Sequence, residues 1–141
     1  MANGATFTCQ AAALPVRNGR ICLVTSSNGK RWVIPKGLID PGHTAGETAL
    51  KEAWEEAGLI GVLQTEPLGS YLYEKYGGTY HVTVFLMQVT EAAPDWPEIE
   101  LRQRTWLGVN SALERIEDAG LADIIRVVLG RGVKDKVILE V

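Results

Sequence analysis

Cysteine and histidine are scarce in this sequence, with two of each in 141 residues, and none stands at a spacing that would build a zinc site. No apolar run approaches the roughly 20 residues needed to cross a bilayer. The stretch Met1 to Cys9 has neither a basic start nor a long apolar core, so no secretory leader is expected. Positive charge is also short. Lys and Arg number 14 against 17 Asp and Glu, a formal net charge of −3. No bulk field therefore draws nucleic acid or an anionic membrane, and neither is expected as a partner. A polyanionic ligand would have to be held by a local cluster of cations or by a metal. Repeats, low-complexity runs and Ser/Pro-rich linkers are absent as well.

What remains is the balance of an ordinary globular protein, 46% hydrophobic and 22% charged, of a length that suits one domain over residues 1–141. Asn18-Gly19 between apolar stretches predicts a two-residue hairpin turn joining strands 8–17 and 20–25. That register sets Cys22 opposite Pro15 and Cys9 opposite Asn28. The sulfurs then lie ~20 Å apart at ~3.3 Å per residue, beyond disulfide reach. Both are expected as reduced core thiols of a cytoplasmic protein.

Residues 31–34 predict a short strand stopped by Pro35, followed by a Gly/Pro-bearing loop over 36–43. A helix over 45–57 ends at Gly58. Strands are expected over 66–76 and 79–90 around Gly77-Gly78, and over 101–109. Helices are expected over 111–118 and 121–129, and the tail from Gly130 has no clear pairing. The class is α+β, with helices packed on a mixed sheet.

The helix over 45–57 carries the chemistry. Thr44-Ala45-Gly46-Glu47 is a capping box with Thr44 as N-cap. At about 100° per residue with Glu52 at zero, Glu55 falls near 300° and Glu56 near 40°, so three acids share one arc. Leu50, Ala53, Trp54 and Ala57 fall on the opposite side and are expected to be buried. Glu47 and Lys51 stand at i,i+4 in the favourable order and are expected to pair. Three neighbouring carboxylates repel one another by a few tenths of a kcal/mol per pair in water. A divalent hard cation would reverse that sign. From the helix alone, a solvated acidic face explains the acids as well as a cation site does.

The preceding loop narrows the choice. Gly37 starts it, and Lys51-Glu52-Ala53-Trp54-Glu55-Glu56-Ala57-Gly58-Leu59 closes the helix. The stretch from Trp32 to Leu59 resembles the Nudix hydrolase family, whose signature runs Gly, five residues, Glu, seven residues, then Arg-Glu-apolar-any-Glu-Glu-any-Gly-apolar. The spacing is kept throughout. His43 stands where the family has its first Glu, and Lys51 where it has Arg. The Thr44 cap and the Glu47–Lys51 pair are expected to replace their bracing role, with His43 exposed on the loop. Later segments are similar to the diphosphoinositol polyphosphate phosphohydrolase branch: Arg31 to Gly37, then Trp96-Pro97-Glu98, then Arg104-Thr105-Trp106-Leu107. The resemblance implies the Nudix fold, a mixed β-sheet sandwiched between α-helices (α/β/α).

It also implies a reaction. The family cleaves phosphoanhydrides by attack of water on phosphorus, with divalent ions neutralising the phosphate oxygens. Carried over, Glu52, Glu55 and Glu56 are the catalytic and metal-binding carboxylates, with the Gly37 carbonyl as a further ligand. The ion is Mg2+, or Mn2+ in its place. Glu52 is a ligand or the base that orients water; Glu98 and Glu100 are the other candidate bases. Substrate phosphates are assigned to Lys36, Arg31 and Arg17, with Arg20, Lys75, Arg102 and Arg104 completing a basic rim. His81 is expected on one sheet face, more as a hydrogen-bonded strand residue than as a ligand group. Trp32, Trp54, Trp96 and Trp106 are expected in the core, with Trp32 or Trp96 as the alternative platform for a base.

The resulting expectation is a cytoplasmic, Mg2+-dependent hydrolase of a small-molecule phosphoanhydride, working as a monomer or homodimer. Its substrates would be diphosphoinositol polyphosphates or dinucleoside polyphosphates. The alternatives are a nucleoside triphosphate or ADP-ribose pyrophosphatase, and a non-catalytic ligand-binding module on the same fold.

Overall fold

The computed structural model describes residues 6–129. Its centre is one mixed sheet of eight strands. Strand β1 (Phe7–Arg17) and β2 (Arg20–Thr25) form a hairpin. Asn18 and Gly19 both take positive φ, 53° and 74°, as this tight turn demands. Next to the turn the pairing is as predicted, with Val16 opposite Ile21 and Arg17 opposite Arg20, but the register does not run on to the expected Pro15–Cys22 and Cys9–Asn28 pairs. Beyond those two pairs the strands diverge.

The segment after β2 fills the gap. Strand β3 (Trp32–Val33) pairs with the far end of β2, and β4 (Lys36–Leu38) pairs with β1 through Gln10, Ala11 and Ala12. Between them the Pro35 carbonyl accepts the Ala13 N–H at 3.1 Å. Pro35 lacks an N–H, so it suits the crossing between one pairing and the next. The stretch 36–38, expected as loop, is therefore a strand.

Helix α1 (Ala45–Ala57) follows. Its capping box is formed: the Glu47 N–H donates to Thr44 Oγ1 at 3.1 Å and the Thr44 N–H to Glu47 Oε1 at 2.8 Å. Gly58 closes it in the left-handed region at φ 67°. Strand β5 (Leu59–Leu63) starts at once. It was not expected, because Gly61 at a bulge interrupts its alternation. Strands β6 (Gly69–Lys75) and β7 (Gly78–Ala92) form the second hairpin, turning at Tyr76-Gly77 one residue earlier than expected. β7 runs parallel to β1, with ten residues in register from Phe7–Thr79 to Val16–Gln88. Strand β8 (Arg104–Leu107) pairs with β2. It is shorter than the expected 101–109 because a turn closed by the Leu101 N–H on the Glu98 carbonyl at 2.9 Å precedes it and helix α2 (Val109–Arg115) begins two residues after it; helix α3 (Ala119–Val128) follows. The tail from Gly130 lies outside the described residues.

Alternation along β1 and β7 builds a core on each face. Ala12, Leu14, Val16, Val82, Val84 and Leu86 pack against Ala112, Leu121 and Ile125 of α2 and α3. Ala11, Ala13, Phe85 and Met87 pack against Ala49, Ala53 and Ala57 of α1. This is the expected α+β arrangement of helices on both faces. Alanines meet alanines under α1, so the helix lies close to the sheet. That closeness splits the expected buried stripe: Ala53 and Ala57 are buried as expected, Leu50 and Trp54 are not. Leu50 and Trp54 remain 37% and 38% exposed, whereas Glu56 is only 8% exposed. Cys22 is buried, but Cys9 is exposed, which corrects its placement in the core. It lies beside His81 of β7, because β2 ends before reaching the level of Cys9. Among the described residues no helix is long and apolar enough to span a membrane.

Candidate functional site

The diverging strands bring β4 against the last turns of α1. Gly37 lies directly under Glu52: a Cβ at position 37 would collide with the Glu52 carboxylate and come within 2.8 Å of its Cγ. One residue earlier, the Lys36 N–H donates to Glu56 Oε1 at 3.3 Å. Glu52 and Glu56 thus converge on a backbone that offers no side chain in the way. Both carboxyls are raised above their ordinary range. For Glu52 the first cause is burial, to which the charges of Glu55 and Glu98 add. For Glu56 burial is again the main cause, reinforced by Glu52, and it takes the group up to about 8 despite the Arg102 guanidinium and the Lys36 N–H. The half-buried Glu52 and the buried Glu56 thus both favour the protonated form in the absence of another cation.

The loop after β7 locks this end of α1. Trp96 Nε1 donates to the Glu56 carbonyl at 3.0 Å, and the Glu98 N–H to the Glu55 carbonyl at 3.0 Å. Arg104 donates to the Ala57 carbonyl at 2.8 Å, with its guanidinium 4.3 Å over the Trp96 ring. These donors satisfy carbonyls that a helix end leaves orphaned, and a cation there suits the dipole. Arg102, with a 10% exposed side chain, reaches Glu98 at 2.9 Å, Glu56 at 3.4 Å and the Thr25 carbonyl at 2.8 Å.

Beside this cluster opens a polar cavity of about 150 Å³, lined by Glu56, Lys36, Arg31, Lys75, Arg102, Tyr73, Gln10 and the Ser26-Ser27 turn. Lys36 lies in its wall, 5.5 Å over the Tyr73 ring, and burial lowers its pKa. Tyr73 stacks on Tyr80 at 4.9 Å and its hydroxyl donates to Gln10 Oε1 at 2.8 Å. Four of the basic residues singled out from the sequence are thus gathered here.

Others are not. Arg17 and Arg20 sit at the tip of the first hairpin, where they line a separate depression with Trp106. Lys36 pairs with Ala12, so Arg17 lies ~16 Å away along β1 at ~3.3 Å per residue. The structure does not bring it together with Lys36 and Arg31 at the cavity. Arg104 and Trp96 support the helix end, and neither is a free surface for a base. Trp32 packs on the core with Arg115 6.0 Å above its ring. Glu98 is held by Arg102, and Glu100 lines a different depression with Thr25, Gly29 and Gln103. His43 is exposed ahead of the helix, and His81 stacks on Phe7 at 6.4 Å. Lys51 pairs with Asp40 at 3.9 Å, not with Glu47, whose carboxylate is engaged by the cap. Asp118, Tyr73 and Gln10 were not anticipated; alternation places Tyr73 on a face, but nothing in the sequence says what that face meets.

Could these residues hold a divalent ion? The donors are carboxylate and carbonyl oxygens, the hard ligands Mg2+ takes. Burial, the first cause of the raised Glu52 and Glu56 carboxyls, is a cost that a cation held between them would offset, and the missing side chain at Gly37 leaves the approach open. Among the described residues no three His, Cys, Asp or Glu side chains form a ready-made cage. The preformed part is therefore the Glu52–Glu56 pair, with Glu55 one turn away at half-exposure. The residues fit the ion on these terms.

Comparison with known proteins decides the family: the model of the NUDIX domain matches residues 8–128. The chain belongs to the Nudix family. It is 37% identical over 102 residues to Nudix hydrolase 12, mitochondrial, of Arabidopsis thaliana, covering 67% of this chain and 50% of that protein. It is 34% identical over 118 residues to human diphosphoinositol polyphosphate phosphohydrolase 3-alpha, covering 79% and 70%. Against the first of these the chain spans half the relative's length, and against Nudix hydrolase 13, mitochondrial, of the same plant, 63%. Among solved structures, the C. elegans Ap4A hydrolase superposes with a TM-score of 0.70 at 20% identity over 86% of this chain and 95% of that one. A Nudix hydrolase from Nitrosomonas europaea gives 0.72 at 19% identity, over 85% and 86%. These two likenesses establish the Nudix fold.

Proposed function

We propose that this Nudix chain is a Mg2+-dependent hydrolase of phosphoanhydride bonds, acting on diphosphoinositol polyphosphates or dinucleoside polyphosphates. The observation that carries the reading is the convergence of Glu52 and Glu56 on Gly37 beside a cavity lined by Lys36, Arg31, Lys75 and Arg102. Paired acids and a cluster of cations, side by side, suit an ion and the phosphates it shares. Glu52, Glu55, Glu56 and the Gly37 carbonyl would hold the ion, with Mn2+ as a substitute for Mg2+. Bound there, it would neutralise phosphate oxygens and ease attack on phosphorus.

The chain's own residues do the rest. Lys36 and Lys75 meet phosphate charge from the cavity wall. Glu52, facing the bare backbone of Gly37, orients the attacking water and accepts its proton. Glu98 does not serve as base on this reading, since its carboxylate is committed to Arg102. Tyr73 and the cations fix the phosphate chain so that one phosphorus stands in line with the water. A reducing, cytoplasmic setting belongs to the same proposal and rests on the two unbridged thiols.

The test is a turnover panel with Mg2+ and with chelator, using inositol pyrophosphates, diadenosine polyphosphates, ADP-ribose and nucleoside triphosphates. Turnover of a member of the first two groups is expected, abolished by chelator and cut at least about 100-fold by Glu55→Gln or Glu56→Gln. Turnover confined to ADP-ribose or nucleoside triphosphates would replace the substrate assignment. No hydrolysis of any member would make the chain a binding module.

A further inference from the structure

Asp118 is the N-cap of α3, yet its side chain makes no cap hydrogen bond. An aspartate there ordinarily accepts an N–H of the first turn, worth about 1 kcal/mol. Instead its carboxylate faces Arg31 Nη1 at 3.9 Å, with a side chain only 22% exposed. It does not line the cavity itself but backs Arg31, which does, and its charge bears on Lys36, Tyr71 and Tyr73. Of the four cations lining the cavity, Arg102 is met by Glu98 and Glu56, and Arg31 by Asp118. Among the described residues Lys36 and Lys75 have no carboxylate within ion-pair distance. An acid placed behind a phosphate cavity reduces its pull on anions, and the reduction grows with the anion's charge.

We propose that Asp118 is a positioning residue that limits the negative charge this cavity accepts, so that the site selects a short phosphate chain over a densely phosphorylated ring. The inference rests on the phosphate reading of the cavity and narrows it to dinucleoside polyphosphates or related diphosphate-linked compounds. Arg31, paired with Asp118, serves to shape the wall; Lys36 and Lys75 supply the charge that two bridged phosphates need.

The experiment measures binding, not turnover, on the full chain in chelator. Pyrophosphate, tripolyphosphate and inositol hexakisphosphate are titrated by calorimetry into the wild type and Asp118→Asn. The expected gain from the substitution is graded: under about threefold for pyrophosphate, intermediate for tripolyphosphate and about tenfold or more for the hexakisphosphate. Added salt should compress the series. Asn is itself a good N-cap, and Asp118→Ser, a second one, should give the same grading if the first variant folds poorly. Weaker binding of all three by the variants would show that Asp118 only holds Arg31 in place and would overturn the proposal, as would an equal gain for all three. Absence of binding by wild type and variants alike would also overturn it and remove the phosphate reading of the cavity, while anhydride cleavage would still stand or fall on the turnover panel.

Discussion

Adding one methyl group at Gly37 should disable the site without unfolding the protein. The backbone there has no positive φ and lies in a strand, so alanine meets no conformational penalty. The new Cβ would collide with the carboxylate of Glu52 and crowd its Cγ at 2.8 Å. The obstacle is the far end of a long side chain, which can swing aside. Forcing Glu52 off its rotamer costs about 0.5–1.5 kcal/mol, so Gly37→Ala should lower the melting temperature by only a few degrees. Function should respond far more, because the displaced group is the one proposed to hold the ion and orient water. A displacement on the order of 1 Å at a catalytic carboxylate is worth about 100-fold in rate. We expect kcat to fall by that factor and the Mg2+ midpoint for activation to rise, with circular dichroism unchanged. Glu52→Asp in the Gly37→Ala background retracts the carboxylate and should recover part of the loss. Activity within threefold of wild type in Gly37→Ala, with an unaltered Mg2+ midpoint, would refute the assignment of Glu52.

Glu56 is raised to about 8 by burial and by Glu52, so its protonated form is the one the ion-free fold favours. The folded pKa exceeds the unfolded one; stability from this group is full below its ordinary range and is lost as pH rises through about 8. In chelator, thermal unfolding should therefore occur at lower temperature at alkaline than at mildly acidic pH. Glu56→Gln should flatten that slope, and Mg2+ should stabilise wild type more at the alkaline end. Trp96→Phe keeps the ring under Arg104 but removes the hydrogen bond to the Glu56 carbonyl, and should cost about 1 kcal/mol by denaturant titration; Trp96→Ala, losing ring and cation contact as well, should cost about 2–4 kcal/mol. Lys36→Met should raise KM about tenfold with a smaller change in kcat, whereas Arg17→Ala, at the hairpin tip, should leave both within about twofold in the same assay.

The local signals were legible because they act over a few residues. Asn18-Gly19 set the first turn and its register, and Thr44 with Glu47 set the start of α1. Helical spacing put the acids at 52, 55 and 56 on one arc, and the loop opened by Gly37 was needed to separate a cation site from a solvated face. What spacing does not reveal is which side of a helix the sheet will take. Glu56 and Trp54 exchanged their expected burial because the alanines of β1 drew the helix in along Ala49, Ala53 and Ala57, and Trp54 stayed at the edge. Ion pairing showed the same limit. Glu47 and Lys51 had the right separation, but the cap claimed Glu47 first and Lys51 turned to Asp40. Arg17 was grouped with Arg31 and Lys36 by charge; topology placed it ~16 Å away along β1 at ~3.3 Å per residue.

The site owes its existence to the splay of β1 from β2. Had the hairpin stayed paired along its length, the backbone at 36–38 would have no place in the sheet. Gly37 would then not lie beneath α1. Because the strands part, β3 and β4 enter between them, and the two faces of β4 do different work. Gly37 turns toward α1 and leaves room for Glu52. Lys36 turns the other way, over Tyr73 and toward the side where Asp118 stands. The proposed ion site and the proposed phosphate cavity thus hang on consecutive residues of one short strand, fixed relative to each other by the pleat. Helix α1 needs only to be held against that strand, and Trp96, Arg102 and Arg104 hold it by its carbonyls and its buried acid. A substitution that loosens this loop should therefore weaken ion binding and phosphate binding together, even though none of these three side chains belongs to the pair at Gly37.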